Sequence, residues 1–314
     1  MKRTMQIRTH KLSFRKKIVK NKGFLLLCLP AVVLVIIFAY LPMCGIYIGF
    51  TDYSIRDGIF GSEFVGFKWF KEFFQSIYAW RVIKNTILLS GCGIVFVFPI
   101  PIMYALMLNE INNKPFKKAV QTISYMPHFI SNVVLVGLLS TIFSSNKNGA
   151  VNSILLSLRI IDTPINFFYE PNWFRPIYII GEIWKSCGWS SIIYLATMSS
   201  IDTSLYEAAE LDGAGRFRKM RHVTVPGLIN IIMIQLILRV GGLMSVGFER
   251  IILMYNPAIY ETSDVISTFV YRRGILDGSL GYGAAVGFFN SLINFVLVVI
   301  CNKISNKVSE VGLW

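Results

Sequence analysis

Four stretches of more than 20 residues, Gly23 to Thr51, Asn85 to Asn109, Ala119 to Asn146 and Tyr282 to Asn302, contain no Asp, Glu, Lys or Arg. A helix needs about 20 mostly apolar residues to cross ~30 Å of hydrocarbon, so each stretch is a candidate membrane span. Two further apolar stretches carry isolated charges: Ile177 to Ser200 holds Glu182 and Lys185, and Gly227 to Phe248 holds Arg239. With 54% of its 314 residues hydrophobic and 15% charged, the chain has too little polar surface to cover a soluble domain. The fold class this predicts is an all-α integral membrane protein of about six transmembrane helices.

The basic residues orient it. Nine of the first 22 residues are Lys or Arg and none is acidic. This arm is expected to stay in the cytoplasm, ahead of a single membrane domain over residues 23–314. Six spans then also put inside the 110–118 loop (Lys114, Lys117, Lys118), the 201–226 loop (Arg216, Arg218, Lys219, Arg221) and the C-terminal end (Lys303, Lys307). Both termini are thus expected in the cytoplasm. The first apolar run is too long for a cleaved signal peptide and lacks a small-residue cleavage site. A net charge of +14 raises nucleic acid as a partner, but its inward-facing placement fits anionic lipid instead.

Several chemistries are missing from the sequence. The five cysteines (Cys28, Cys44, Cys92, Cys187, Cys301) sit in or beside apolar spans without metal or disulfide spacing. No G-x-x-x-x-G-K-[ST] occurs, so a P-loop for ATP is not expected. The three histidines, His10, His128 and His222, make no triad or zinc pattern. The expectation is a protein that is not an enzyme and binds no cofactor or metal.

The stretch SLYEAAELDGAGRFRKMRHVTVP, Ser204 to Pro226, is charged and lies between two predicted spans. Ser204 and Glu207 have capping-box spacing, and Gly213 and Gly215 suit a left-handed helix end. A second short helix is expected from Arg216 to about Val223, with Pro226 in the first turn of the next span. Helices this short are marginal in water, so they need a partner to pack against. Read locally, Glu207 is a capping residue and the glycines terminate a helix.

The same loop reads Glu207-Ala208-Ala209, three residues, Gly213, nine residues, Val223, one residue, Val225-Pro226. This resembles the E-A-A-x3-G-x9-I-x-L-P motif of binding-protein-dependent ABC importer permeases, with valine in place of Ile and Leu. Further segments resemble the maltose-type carbohydrate branch, its oligosaccharide and polysaccharide subgroup in particular: Phe64-Val65-Gly66-Phe67, Tyr125-Met126-Pro127, Ile201-Asp202, Tyr255-Asn256-Pro257, Val270-Tyr271-Arg272-Arg273-Gly274 and Gly312-Leu313-Trp314. The resemblance covers roughly residues 20–314. It implies a type I importer (MetI-like) transmembrane domain in the bacterial cytoplasmic membrane. It also implies a second permease subunit, a pair of ABC ATPase subunits holding ATP and Mg, an extracytoplasmic solute-binding protein and a carbohydrate substrate. Coupling to the ATPase would fall to Glu207, Ala208, Ala209, Asp212, Gly213, Ala214, Gly215 and Pro226. The outer loops would receive the binding protein.

Charged groups within a bilayer are costly and usually face a cavity or a partner. Glu182 and Lys185 are spaced i,i+3 to pair with each other; Arg239 has no acid near it in sequence and is left to pair with Glu182 or to line a path. A saccharide path mixes amides with aromatics. Asn290 and Asn294 share a helix face, and Trp184, Trp189 and Tyr194 fall in the fourth span. The asparagines suit helix–helix hydrogen bonding equally well, and the tryptophans an interfacial belt. Two other classes are weighed against the importer. A secondary transporter should show internal repeats, and a membrane-embedded enzyme should show clustered His, Asp or Glu; the sequence displays neither.

Overall fold

A computed structural model describes residues 21–146, 149–309 and Gly312. The basic arm up to Lys20 lies outside the described residues, as do Leu313 and Trp314 of the C-terminal signature. The first helix, α1 (Lys22–Phe50), leads into a two-stranded antiparallel ribbon, β1 (Thr51–Asp52) paired with β2 (Glu63–Phe64). Helices α2 (Lys68–Gln75), α3 (Ala79–Asn109), α4 (Lys114–Tyr125), α5 (Asn132–Ile142), α6 (Ala150–Ser157) and α7 (Pro171–Ser199) follow. The last group is α8 (Thr203–Leu211), α9 (Arg216–Gly241), α10 (Phe248–Met254), α11 (Ile266–Val270) and α12 (Leu280–Ser309).

Among the described residues, α1, α3, α9 and α12 are long and apolar enough to cross a membrane, and α4 with α5 makes up to a fifth such span. The six expected spans are therefore not six equivalent rods. Helix α7, at 29 residues and roughly 43 Å, has the length but carries Arg175, Glu182 and Lys185. The stretch from Ala119 to Asn146, expected as one span, is bent by 102° between α4 and α5. Its cause is local. Pro127 sits in a tight 3₁₀ turn over Met126–Phe129, and the Ser131 hydroxyl caps α5 by accepting from the Val134 N–H at 3.3 Å.

Three long helices accommodate proline without breaking. A widened π turn stands just ahead of Pro42 (Ile36–Tyr40), Pro99 (Gly93–Val97) and Pro226 (Met220–Thr224). Proline cannot donate to the carbonyl four residues back and its ring collides with it. Shifting the ladder by one residue relieves both problems, as in the Phe98 N–H bond to the Gly93 carbonyl at 3.0 Å. The expected break between a second short loop helix and the span at Pro226 is therefore absent, and α9 runs unbroken from Arg216 into the bundle.

Most of α1 buries nothing. Phe24, Leu26, Leu27, Phe38 and Leu41 stand exposed, an apolar surface that water would not tolerate and hydrocarbon solvates. Only its last turns join the bundle, where Gly49 passes so close to α12 that a Cβ there would lie 2.9 Å from the Ala285 nitrogen. The second half of α3 packs along α7, and α9 along α12. One core gathers Leu89, Leu135, Leu139, Phe174, Ile177 and Ile251; another gathers Phe73, Val82, Phe269 and Val286. A third joins Ala105 of α3, Tyr194 and Met198 of α7, and Leu228 of α9.

Candidate functional site: a projecting helix turn and a charged cavity at mid-depth

At one end of the bundle α7 stops at Ser199 and the chain turns into α8. The Asp202 carboxylate caps α8 by accepting from the Ser204 N–H at 2.9 Å, and that bond holds its carboxyl below the ordinary aspartate range. The expected Ser204–Glu207 capping box is thus displaced: the cap is two residues earlier, and Ser204 is its donor. At the other end Gly213 takes φ +75°, its N–H donates to the Glu210 carbonyl at 3.0 Å, and Ala214 N–H donates to the Ala209 carbonyl at 2.8 Å. These bonds form a Schellman termination, which satisfies carbonyls that the helix end would otherwise orphan. Gly215, expected to be left-handed as well, is extended and opens α9.

The loop is fastened to α9 by the Tyr206–Thr224 hydroxyl pair at 3.0 Å and by Lys219–Glu210 at 3.5 Å. Nothing in α8 is buried. Glu207, Ala208, Asp212 and Gly213 are exposed, Ala209 and Ala214 are half-buried, and Leu205, Leu211 and Phe217 are 53%, 91% and 71% exposed. Three large apolar side chains on a polar loop form a surface suited to a protein partner.

Between α3, α7 and α9 lie two adjoining cavities of about 380 and 650 Å³. Glu182, Val97, Leu238 and Arg239 line both; Trp189, Gln235, Ser186 and Tyr194 line the larger one. Gly93, halfway along α3, makes room for the arginine, since a Cβ there would lie 2.9 Å from Arg239 Nη2. The cavity is therefore at mid-depth. The Trp189 ring stacks on His128 with centroids 4.5 Å apart and planes 3° apart.

Of the path residues read from the sequence, Glu182, Trp189, Tyr194 and Arg239 come together at this cavity. Trp184 is exposed and does not line it. Asn294 serves helix packing: its side chain accepts from the Met244 N–H at 2.8 Å and donates to the Ser245 hydroxyl at 2.9 Å. Asn290 also lies outside the cavity lining, its Oδ1 buried without a partner. Glu182 and Lys185 do not pair with each other. Glu182 pairs with Arg250, while Lys185 donates to Asn132 Oδ1 at 2.8 Å, and Asn132 donates to Glu249 at 2.5 Å.

Sequence reasoning passed over Arg250, Glu249 and Asn132. Glu249 and Arg250 directly follow the apolar stretch that ends at Phe248, yet the apolar run resumes at once with Ile251 to Met254, and that resumption is the available signal. A second missed cluster lies at the end of the bundle opposite α8. Asp264 is fully buried and takes ion pairs from Arg81 at 3.1 Å and Arg272 at 2.7 Å, while Asn85 donates to its carbonyl and accepts from Arg175. These contacts tie the start of α3 to the 255–272 segment and to α7.

Apolar helices exposed on their outer faces, a polar cavity at mid-depth and a capped helix projecting from one end define a multi-pass membrane permease domain. The chain belongs to the binding-protein-dependent transport system inner membrane component family, whose pattern matches residues 98–310. It is 38% identical over 303 residues to Protein LplB of Bacillus subtilis (strain 168), covering 96% of this chain and 94% of that one. To the polygalacturonan/rhamnogalacturonan transport system permease protein YteP of the same organism it is 39% identical over 298 residues, covering 95% and 92%. Its fold matches a chain of a bacterial ABC transporter involved in the import of the acidic polysaccharide alginate, with TM-score 0.86, 40% identity and coverage of 95% and 100%. A second solved structure of the alginate transporter, in complex with an alginate pentasaccharide-bound periplasmic protein, matches at TM-score 0.87 and 41% identity, covering 96% and 100%.

Proposed function

We propose that this chain is one of two permease subunits of an ATP-driven importer of oligosaccharides in the bacterial cytoplasmic membrane, and that α8 and the Gly213 turn couple it to a separate ATPase. The observation that carries the coupling is the α8 loop itself. A two-turn helix with no buried residue, rigidly capped at both ends and bearing exposed Leu205, Leu211 and, across the turn, Phe217, is built to be held by another protein. ATP and Mg sit on that ATPase pair in this reading. Closure of the ATPase pair moves α8, and α9, continuous with the loop, carries the motion into the bundle as a rigid body.

Both termini and α8 then face the cytoplasm, and the Asp264 end faces the solute-binding protein. The saccharide passes the mid-depth cavity, where Trp189 offers a ring for a sugar's C–H face and Gln235 and Ser186 offer hydroxyl partners. The carbohydrate reading is supported by relatives named for polysaccharide transport.

The test is to purify the chain with its companion permease, ATPase and binding protein, and to measure ATP hydrolysis in lipid discs with a panel of oligosaccharides. Stimulation that needs both the sugar and its binding protein supports the reading. An assembly that contains no ATPase rules it out.

A further inference from the structure

We infer that Arg239 is a carboxylate-reading residue, and that the mid-depth cavity accepts an acidic saccharide, one built from uronic acid units, in preference to a neutral one. This rests on the importer reading above. Two carboxylates, Glu182 and Glu249, meet two cations: Arg250 pairs with Glu182, and Lys185 meets Glu249 through the Asn132 amide. Arg239 is the fifth charge; it is exposed to the cavity, and its guanidinium makes no ion pair or hydrogen bond among the described residues.

A guanidinium that lines a cavity at mid-depth with its donors unused is placed to receive an anion. Its position is also specifically accommodated. Gly93 is the residue facing its Nη2, and a Cβ there would lie 2.9 Å away, so the arginine tip would have to shift. Around the arginine, Trp189 supplies an aromatic surface, 42% exposed, and Gln235 and Ser186 supply amide and hydroxyl groups. A hexuronate presents a planar carboxylate, hydroxyls and a flat C–H face. Guanidinium is the side chain that meets a carboxylate with two parallel hydrogen bonds.

The experiment uses the full complex of this chain, companion permease, ATPase and binding protein in proteoliposomes. Uptake of an oligogalacturonate pentasaccharide is compared with uptake of its carboxyl-reduced, neutral counterpart, each presented on saturating binding protein. Wild type should take up the charged sugar faster, Arg239→Gln should lose about tenfold or more of that uptake with little change for the neutral one, and Arg239→Lys should retain a part. Equal loss for both sugars, or failure of the Arg239→Gln complex to assemble, overturns the inference, because the arginine then serves structure or a subunit contact. Wild-type uptake of the neutral sugar at the charged sugar's rate also overturns it while leaving the importer reading intact. Uptake of neither sugar, by a complex whose ATPase another oligosaccharide stimulates, overturns the inference and leaves the importer reading intact, whereas an assembly without ATPase sinks both.

Discussion

The Ala214 N–H donates to the Ala209 carbonyl at 2.8 Å, closing the end of α8 across Gly213. That bond exists only because Gly213 holds φ +75°, a conformation that costs a non-glycine residue about 1–2 kcal/mol. Gly213→Ala should therefore loosen the turn, and Gly213→Pro should abolish it, since proline fixes φ near −65° and removes the N–H that bonds Glu210. Membrane insertion should be unchanged in both. ATPase retained on affinity-purified permease should fall by about tenfold for Gly213→Pro, roughly 1.4 kcal/mol of association, with Gly213→Ala in between.

The Asp202 cap should make the start of α8 sensitive to acid. Its folded carboxyl titrates below the ordinary value of about 3.9, so the cap's stabilisation is fully present above that value. It is lost as pH falls through the lower folded value. Hydrogen exchange at residues 203–207 should speed up in that acid range and in Asp202→Ala at neutral pH. Asp202→Asn, also a good N-cap, should stay close to wild type at neutral pH and lose the acid response.

The Glu182–Arg250 pair is largely withdrawn from solvent, with side chains 21% and 9% exposed. Removing one member strands the other, at about 3–5 kcal/mol. Glu182→Ala and Arg250→Ala should each lower the melting temperature in detergent more than the double variant does relative to either single. Additive losses would show that the two side chains do not act as a pair.

Asp264→Asn should be among the most damaging single changes at the opposite end of the bundle. It leaves Arg81 and Arg272 facing a neutral amide in a fully buried position, again at about 3–5 kcal/mol. The measurable result is a lower yield of folded protein, with the apolar spans still inserted.

The α8 loop was legible because its signals are local: an acid before a helix, a glycine at its end, a proline beyond. The register of the cap was misread, since Ser204 and Asp202 are both good capping residues and the backbone chose the latter; so were the conformation of Gly215 and the continuity of α9 through Pro226. The long exposed spans were legible for the same reason, as a charge-free run needs no tertiary information. The charged cavity was only half legible. Glu182, Lys185 and Arg239 stood out as costly charges, but the partners of the first two depend on the bend at Pro127, which brings Asn132 to Lys185, and on α10, which turns Arg250 back to Glu182. The exposed Trp184 and the packing role of Asn294 follow from how helices rotate against their neighbours, which periodicity alone does not determine.

The central claim, that α8 is the surface gripped by the ATPase, is tested most directly by a cysteine in place of Leu211, 91% exposed at the end of that helix. In the assembled complex, with the five native cysteines replaced, Leu211→Cys should crosslink to the ATPase, with a yield that changes when ATP is bound. A control cysteine at Phe60, 82% exposed near the β1–β2 ribbon, should not. Crosslinking of Leu211→Cys to the solute-binding protein, or modification at full rate by a soluble thiol reagent in the intact complex, would contradict the account.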